Sequence, residues 1–182
     1  MSARAWRKRK APQVVNGPPP TRPKALQGID MALGDVVLFG QEEAWLKGVL
    51  VLEESRTCVC AVFFTHQGPD GDVVLVQPAP QRTLLRMRPA RIELDVGTEP
   101  SVIEHEGQRY TRSWRRPVVV GRLGEELPAT EGTATWSWFE APDGTVLVSL
   151  TGGARGLAWT ADPAADSSAV RLAGGEATLR PL

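Results

Sequence analysis

Short apolar runs separated by turn residues dominate the pattern of hydrophobic and polar positions from Leu33 onward. Val36-Val37-Leu38-Phe39 ends at Gly40, and Val49-Leu50-Val51-Leu52 ends at two glutamates. Cys58 to Thr65 is followed by a Gln-Gly-Pro-Asp-Gly turn, in which proline fixes φ and glycine accepts a positive φ. No extended apolar pattern has the 3.6-residue helical period. The sequence therefore predicts an all-β protein built from antiparallel meanders.

The second half of the chain follows the order of the first. Trp45 to Val51 parallels Trp114 to Val120, and the turn at Pro69-Asp70-Gly71 parallels Pro142-Asp143-Gly144 at a similar offset. We therefore expect two sequence-related antiparallel β-meander repeats. Their packing is left open between a face-to-face sandwich and a pair of small open barrels. The predicted boundaries are an arm at 1–27, repeats at 28–97 and 98–165, and a weakly ordered tail or hairpin at 166–182.

The tryptophans offer two interpretations. Trp45 and Trp114 occupy equivalent places in the repeats, and we expect them to fill the core, with ligand stacking as the alternative. Trp136 and Trp138 share one face of a strand because side chains alternate along it. They either pack inside or form an exposed platform for a sugar or a partner peptide.

Charge is divided unevenly along a chain whose net charge is zero. Residues 1–24 hold seven of the 21 basic residues and no acidic one, so the remainder carries an equal negative excess. Prolines favour an extended, disordered arm. It lacks the apolar segment of a secretory signal, and the chain has no apolar stretch long enough to predict a transmembrane segment. The candidate contacts with an anionic membrane, a partner protein or, less favoured, nucleic acid are Trp6, Arg7, Lys8, Arg9 and Lys10.

Arginines in the body form a second candidate site. Arg86 and Arg88 share a strand face, and Arg115 and Arg116 belong to another cluster. These four residues are a possible anion-binding patch, although solvated strand faces also carry such residues.

The sequence contains no recognisable catalytic motif. Cys58 and Cys60 are the only cysteines, and in a regular strand both would face one side as buried, reduced thiols. Zinc sites need wider spacing and a second ligand pair, and the chain lacks a Gly-x-Ser-x-Gly elbow and a phosphate loop. The sequence therefore predicts no catalytic residues, no metal and no cofactor.

Several short segments of the body carry a family resemblance, namely Leu33 to Val37, Trp45 to Leu50, Val73 to Val76, Gly107 to Tyr110, Val119 to Pro128 and Pro142 to Val148. They resemble the bacterial DUF4178 family, a domain of unknown function. The resemblance covers about residues 31–165. It departs where the family has an acidic and aromatic strand and this chain has Cys58 to Phe64. It implies a small soluble β protein without established activity, often encoded near membrane proteins and polyamine-synthase-like enzymes.

Together these observations predict a non-enzymatic, cytoplasmic accessory or adaptor protein. Its body would bind a protein partner, and its arm would contact an anionic surface. The alternatives are a nucleic-acid-associated protein that uses the arm and the arginine clusters, and a β module that binds a small ligand or sugar.

Overall fold

The structure is a computed structural model that describes residue 26 and residues 28–94, 100–125, 127–130, 132–152, 156–161 and 169–172. All the secondary-structure elements that extend over several residues in these ranges are β-strands, as the apolar pattern predicts. The strands are β1 (Val36–Phe39), β2 (Glu42–Glu54), β3 (Thr57–Thr65), β4 (Val73–Val76), β5 (Leu84–Pro89), β6 (Val102–His105), β7 (Gln108–Gly124), β8 (Gly132–Glu140), β9 (Val146–Thr151), β10 (Leu157–Ala161) and β11 (Val170–Leu172).

Eight of these strands close into one antiparallel barrel, so the predicted sandwich or pair of open barrels is wrong. Around the barrel the order is β2-β3-β4-β5-β10-β9-β8-β7, and β7 pairs again with β2. Each four-stranded meander taken alone would leave two edges of unpaired backbone groups. Pairing β5 with β10 and β2 with β7 removes all four edges. The sequence similarity of the two halves stays a prediction.

The β2–β7 closure depends on two glycines. Gly48 is paired with Gly124 at the end of the shared ladder. A Cβ on Gly48 would lie 2.2 Å from the Glu125 carbonyl oxygen, and one on Gly124 would lie 2.4 Å from the Lys47 carbonyl oxygen. Gly124 also has a φ of +88°, which other residues rarely adopt. Glycine at both positions therefore allows the two strands to approach this closely.

The remaining strands cover parts of the outer surface. β1 pairs with both β2 and β11, and β6 pairs with β7. Of the segment 166–182, the structure describes 169–172, and Val170–Leu172 forms β11 against β1. Within the described ranges, no helix has the length and apolar character needed to cross a membrane.

The apolar side chains form an inner core and outer clusters. Along β2, Leu50 and Leu52 point into the barrel, whereas Val49 and Val51 pack outside it. The outer positions are covered in part by Leu26 and neighbouring residues ahead of β1. Burial on both faces explains why this segment reads as an uninterrupted apolar run rather than as an alternation.

The predicted equivalence of Trp45 and Trp114 in the core is wrong for Trp45. Alternation along β2 buries Ala44 and Leu46 and leaves Trp45 39% exposed. Trp114 is half-buried and packs against the inner core. Trp136 and Trp138 are 1% and 8% exposed and lie inside the barrel, so they do not form an exposed platform.

Candidate binding site at the mouth of the barrel

One open end of the barrel contains a cavity of about 190 Å³. The β2–β3 turn and the β4–β5 loop lie at this end because β2 and β4 both run towards it. The wall combines a short stretch of β3, the proline-containing loop, and inward-facing residues of β7 and β8. Its lining residues are Thr57, Cys58, Val59, Gln77, Pro78, Ala79, Pro80, Gln81, Trp114, Arg116 and Trp136.

Strand β7 places a tryptophan and an arginine in this mouth. Val118 and Val120 belong to the inner core, and alternation continues their row to Arg116 and Trp114. A bulge between Arg112 and Trp114 adjusts the register, so that Trp114 pairs directly with Trp138 of β8.

The aromatic ring of Trp114 holds the arginine in a defined place. The Trp114 and Trp138 rings stack with centroids 5.8 Å apart and planes 16° from parallel. The Arg116 guanidinium carbon lies 4.4 Å from the centroid of the Trp114 ring. Its Nη1 also donates to Glu54 Oε2 at 3.2 Å. Both charged side chains are more than a third exposed, so this ion pair contributes at most about 1 kcal/mol to stability. A ring stack and a cation above it therefore form one wall of the mouth.

The indole of Trp136 carries an unused hydrogen-bond donor. Its Nε1–H is buried and has no acceptor among the described residues. By contrast, Trp138 Nε1–H donates to Glu140 at 2.9 Å, and Trp45 Nε1–H donates to Glu43 at 2.9 Å. Leaving a buried donor unpaired costs about 1–3 kcal/mol. The fold thus carries this cost at a residue that lines the cavity.

The two cysteines do not supply a reactive group here. A register shift after Leu52 leaves Val59 as an extra residue, so Cys60 packs in the inner core and Cys58 in an outer cluster. The prediction that both sulfurs face one side is therefore wrong. Burial raises the pKa of Cys58 to about 11 and also raises the pKa of Cys60, so both are protonated thiols at neutral pH. In the described part of the chain, no group of three or more His, Cys, Asp or Glu residues could hold a metal ion.

A second cavity, of about 410 Å³, lies outside the barrel beside the start of β2 and the β3–β4 loop. Its central cation is Arg86, which donates to Glu42 and, at 2.7 Å, to Asp72, and lies 5.6 Å from the ring centroid of Phe39. Burial alone would lower the pKa of this guanidinium, but its hydrogen bonds to the two carboxylates raise it above its ordinary value. The charge in this cavity is already neutralised by its own walls.

The structure separates the predicted arginine patch. Arg86 and Arg88 lie on β5, whereas Arg115 and Arg116 lie on β7, four strands away in either direction around the barrel. Arg115 is exposed on the outside, and Arg116 faces the mouth. The alternation that starts from Val118 and Val120 could have separated these neighbours. The candidate arm residues Trp6, Arg7, Lys8, Arg9 and Lys10 lie outside the described residues.

No family model, curated protein or solved structure matches this chain. The resemblance to DUF4178 therefore stays a prediction.

Proposed function

We propose that the protein is a non-enzymatic accessory or adaptor module that binds a partner protein by taking one of its side chains, or its chain end, into the mouth of the barrel. The observation that carries this proposal is the cavity at the mouth, which is lined by Trp114, Arg116 and Trp136; the buried indole N–H of Trp136 has no acceptor among the described residues.

The size of the cavity favours one inserted group. A cavity of about 150 Å³ holds a benzene molecule, whereas pockets for drug-sized ligands range from about 300 to 1,000 Å³. The cavity at the mouth, at about 190 Å³, is close in volume to the cavity that holds benzene and smaller than the pockets for drug-sized ligands. In many protein interfaces, a few side chains that insert into well-packed pockets supply most of the binding energy.

Selection of peptides tests this proposal. A random peptide library is selected on the immobilised protein, and enriched peptides are measured against two variants. Trp114→Ala removes the ring wall, and Trp45→Ala removes a tryptophan that is exposed on the outer surface. We expect Trp114→Ala to weaken binding at least about tenfold, as truncation of a contact residue at the centre of an interface does. Trp45→Ala should bind like the unmodified protein.

Folding of both variants is checked by circular dichroism and thermal unfolding, and Arg116→Gln provides a second variant of the mouth. Enriched peptides that bind equally to Trp114→Ala and Arg116→Gln would place recognition elsewhere and overturn the proposal. Failure to enrich any peptide would also count against it.

We further propose that the basic arm contacts an anionic surface. Support comes from the seven basic residues and the absence of acidic residues in positions 1–24. A basic residue near an anionic membrane contributes about 1 kcal/mol. In sedimentation with vesicles containing phosphatidylserine, replacing Arg7, Lys8, Arg9 and Lys10 by glutamine should abolish binding at low salt. Replacing the exposed body residues Arg88, Arg91, Arg109 and Arg115 should not.

Nucleic acid is the competing ligand for the arm. Stronger, steeply salt-dependent binding of the unmodified protein to duplex DNA or RNA than to vesicles would support the nucleic-acid alternative instead. Unchanged sedimentation of the arm variant would overturn the membrane proposal.

A further inference from the structure

We propose that the group entering the mouth is a carboxylate attached to a short apolar or aromatic moiety. This inference rests on the proposed function and specifies the chemistry of the partner's inserted group. It is carried by the donors and charges that line the cavity.

The described residues that line the mouth are rich in donors and include no acidic side chain. Among these described residues, Arg116 is the one that carries a charge. Arg116 uses Nη1 for Glu54, and within the described ranges no other acceptor bonds to its guanidinium. Its Nε–H and Nη2–H groups therefore remain as donors, together with the buried Nε1–H of Trp136.

A carboxylate matches this set better than other groups do. It has two oxygens, which can accept from two N–H groups of the Arg116 guanidinium. The indole N–H of Trp136, which is covered in the unbound protein, can donate only after the entering group displaces the side chains that cover it. Charge-assisted hydrogen bonds are roughly twice as strong as neutral ones. An ammonium group would meet a cation and an N–H donor, and a neutral amide would lose the charge interaction. The ring of Trp114 supplies an apolar surface for the atoms next to the carboxylate.

Two sources share this chemistry, namely the terminal carboxylate of a partner chain and a small free organic acid. The cavity volume of about 190 Å³ accommodates either a terminal residue or a single-ring acid. The proposed function favours the chain end, and the experiment distinguishes the two.

The first part of the experiment uses small probe molecules. Benzoate, benzamide and benzylammonium are titrated into the ¹⁵N-labelled full-length protein, and indole N–H resonances are followed by NMR. The Trp136 resonance is assigned by its loss in Trp136→Phe. We expect benzoate to shift the Trp136 resonance with an affinity at least about tenfold above that of benzamide, and benzylammonium to cause no shift.

Neighbouring arginines supply the matched control. Arg116→Gln should abolish the preference for benzoate over benzamide. Arg115→Gln, one residue away on the exposed outer face of β7, should retain it. Equal binding of the three probes, or loss of the preference in Arg115→Gln but not in Arg116→Gln, would overturn the inference.

The second part of the experiment compares peptides from the selection, each synthesised once with a free C-terminal carboxylate and once with a C-terminal amide. Loss of binding on amidation identifies the chain end as the source. Binding of benzoate alone, with no peptide that depends on Trp114, supports the carboxylate site with a free acid as its source and overturns the partner-protein proposal. Peptide binding that needs Trp114 but survives amidation, without a preference for benzoate, overturns the carboxylate inference and leaves the proposed function standing.

Discussion

Two arginines of this barrel have similar surroundings and different partners. Arg86, on the outside, lies over Phe39 and is bonded to Glu42 and Asp72. Arg116, at the mouth, lies over Trp114 and is bonded to Glu54. Arg86 is bonded to two carboxylates, which form an ion cluster with it. Arg116 is bonded to one carboxylate, and its remaining N–H groups have no acceptor among the described residues. The larger cavity therefore surrounds a structural cluster, and the smaller one has the character of a binding site.

Both regions depend on closure of the barrel, so the largest expected effect comes from Gly48. Gly48→Ala places a methyl group against the Glu125 carbonyl oxygen and the Leu127 side chain. We expect a loss of about 2–3 kcal/mol in the free energy of unfolding, because overpacking at a backbone contact forces the strands apart. Urea unfolding followed by tryptophan fluorescence measures it.

Gly121→Ala is the matched control on β7. A Cβ at Gly121 comes no closer than 3.9 Å to the carbonyl oxygen of Val51, its partner on β2. Its stability should remain within about 1 kcal/mol of the unmodified protein. Equal effects at Gly48 and Gly121 would show that the β2–β7 approach is not the tight point of closure.

Replacing each arginine by methionine separates the two regions directly. Arg86→Met leaves Asp72, whose side chain is only 20% exposed, beside a neutral group. We expect a loss of about 1–2 kcal/mol, reduced from the value for a fully buried pair because water reaches the cluster. Arg116→Met keeps an apolar contact with Trp114, and its stability should change by no more than about 0.5 kcal/mol.

Thermal unfolding of both methionine variants, paired with the benzoate titration, tests this contrast. Arg86→Met should lose stability and keep the benzoate-induced shift, whereas Arg116→Met should show the reverse. A destabilisation of Arg116→Met equal to that of Arg86→Met would make the mouth arginine a structural residue as well.

Local signals in the sequence were sufficient for the strands and insufficient for their closure. The run at Val73–Val76 is confirmed as β4, because a short apolar run between turns is a local property. Pairing of Gly48 with Gly124 joins distant parts of the chain, and no local pattern encodes it. The prediction that Trp45 fills the core is wrong because alternation, and not ring size, sets its direction: Ala44 and Leu46 on either side are buried in the outer cluster, and Trp45 points the opposite way.

The binding mouth was only partly predictable for the same reason. Alternation along β7 predicts that Arg116 points into the barrel. That Arg116 pairs with Trp136 follows only from the β7–β8 register, which the sequence does not give. The prediction that Cys58 and Cys60 share one face fails because Val59 is an extra residue in β3, and a bulge of one residue leaves no clear mark in the sequence. The unpaired donor of Trp136 is a property of packing, which sequence patterns do not report.

Two phenylalanine variants sharpen the comparison inside the mouth. Trp138→Phe removes a donor that Glu140 uses and reduces the stack with Trp114. Trp136→Phe removes the same atoms from the core but also removes the unpaired N–H. Because the second change relieves a desolvation cost, we expect Trp136→Phe to be more stable than Trp138→Phe by about 1 kcal/mol.

Urea unfolding of the two variants measures this difference, and each serves as the volume control for the other. Equal losses of stability would mean that the Trp136 donor imposes no cost on the folded state. In that case the argument for a ligand acceptor at Trp136 would lose its energetic basis.

The smallest expected effect concerns Cys58, the thiol that lines the mouth. Its pKa is raised by burial to about 11, so only about one thiol in a thousand is ionised at pH 8. The thiolate is the reactive form, and we expect almost no alkylation of the folded protein by iodoacetamide at that pH, measured by intact mass. The rate should increase as the pH rises towards 11, because the folded-state pKa lies above the ordinary value of 9.0.

Alkylation in urea provides the control, since both cysteines should then react at the rate of exposed thiols. Iodoacetamide is neutral, so the charges of Arg116 and Glu54 do not concentrate it as they could concentrate an ionic reagent. Rapid single labelling of the folded protein at pH 8 that disappears in Cys58→Ser would contradict the expectation. The mouth would then contain an activated nucleophile beside Arg116, and its chemistry would no longer be limited to binding.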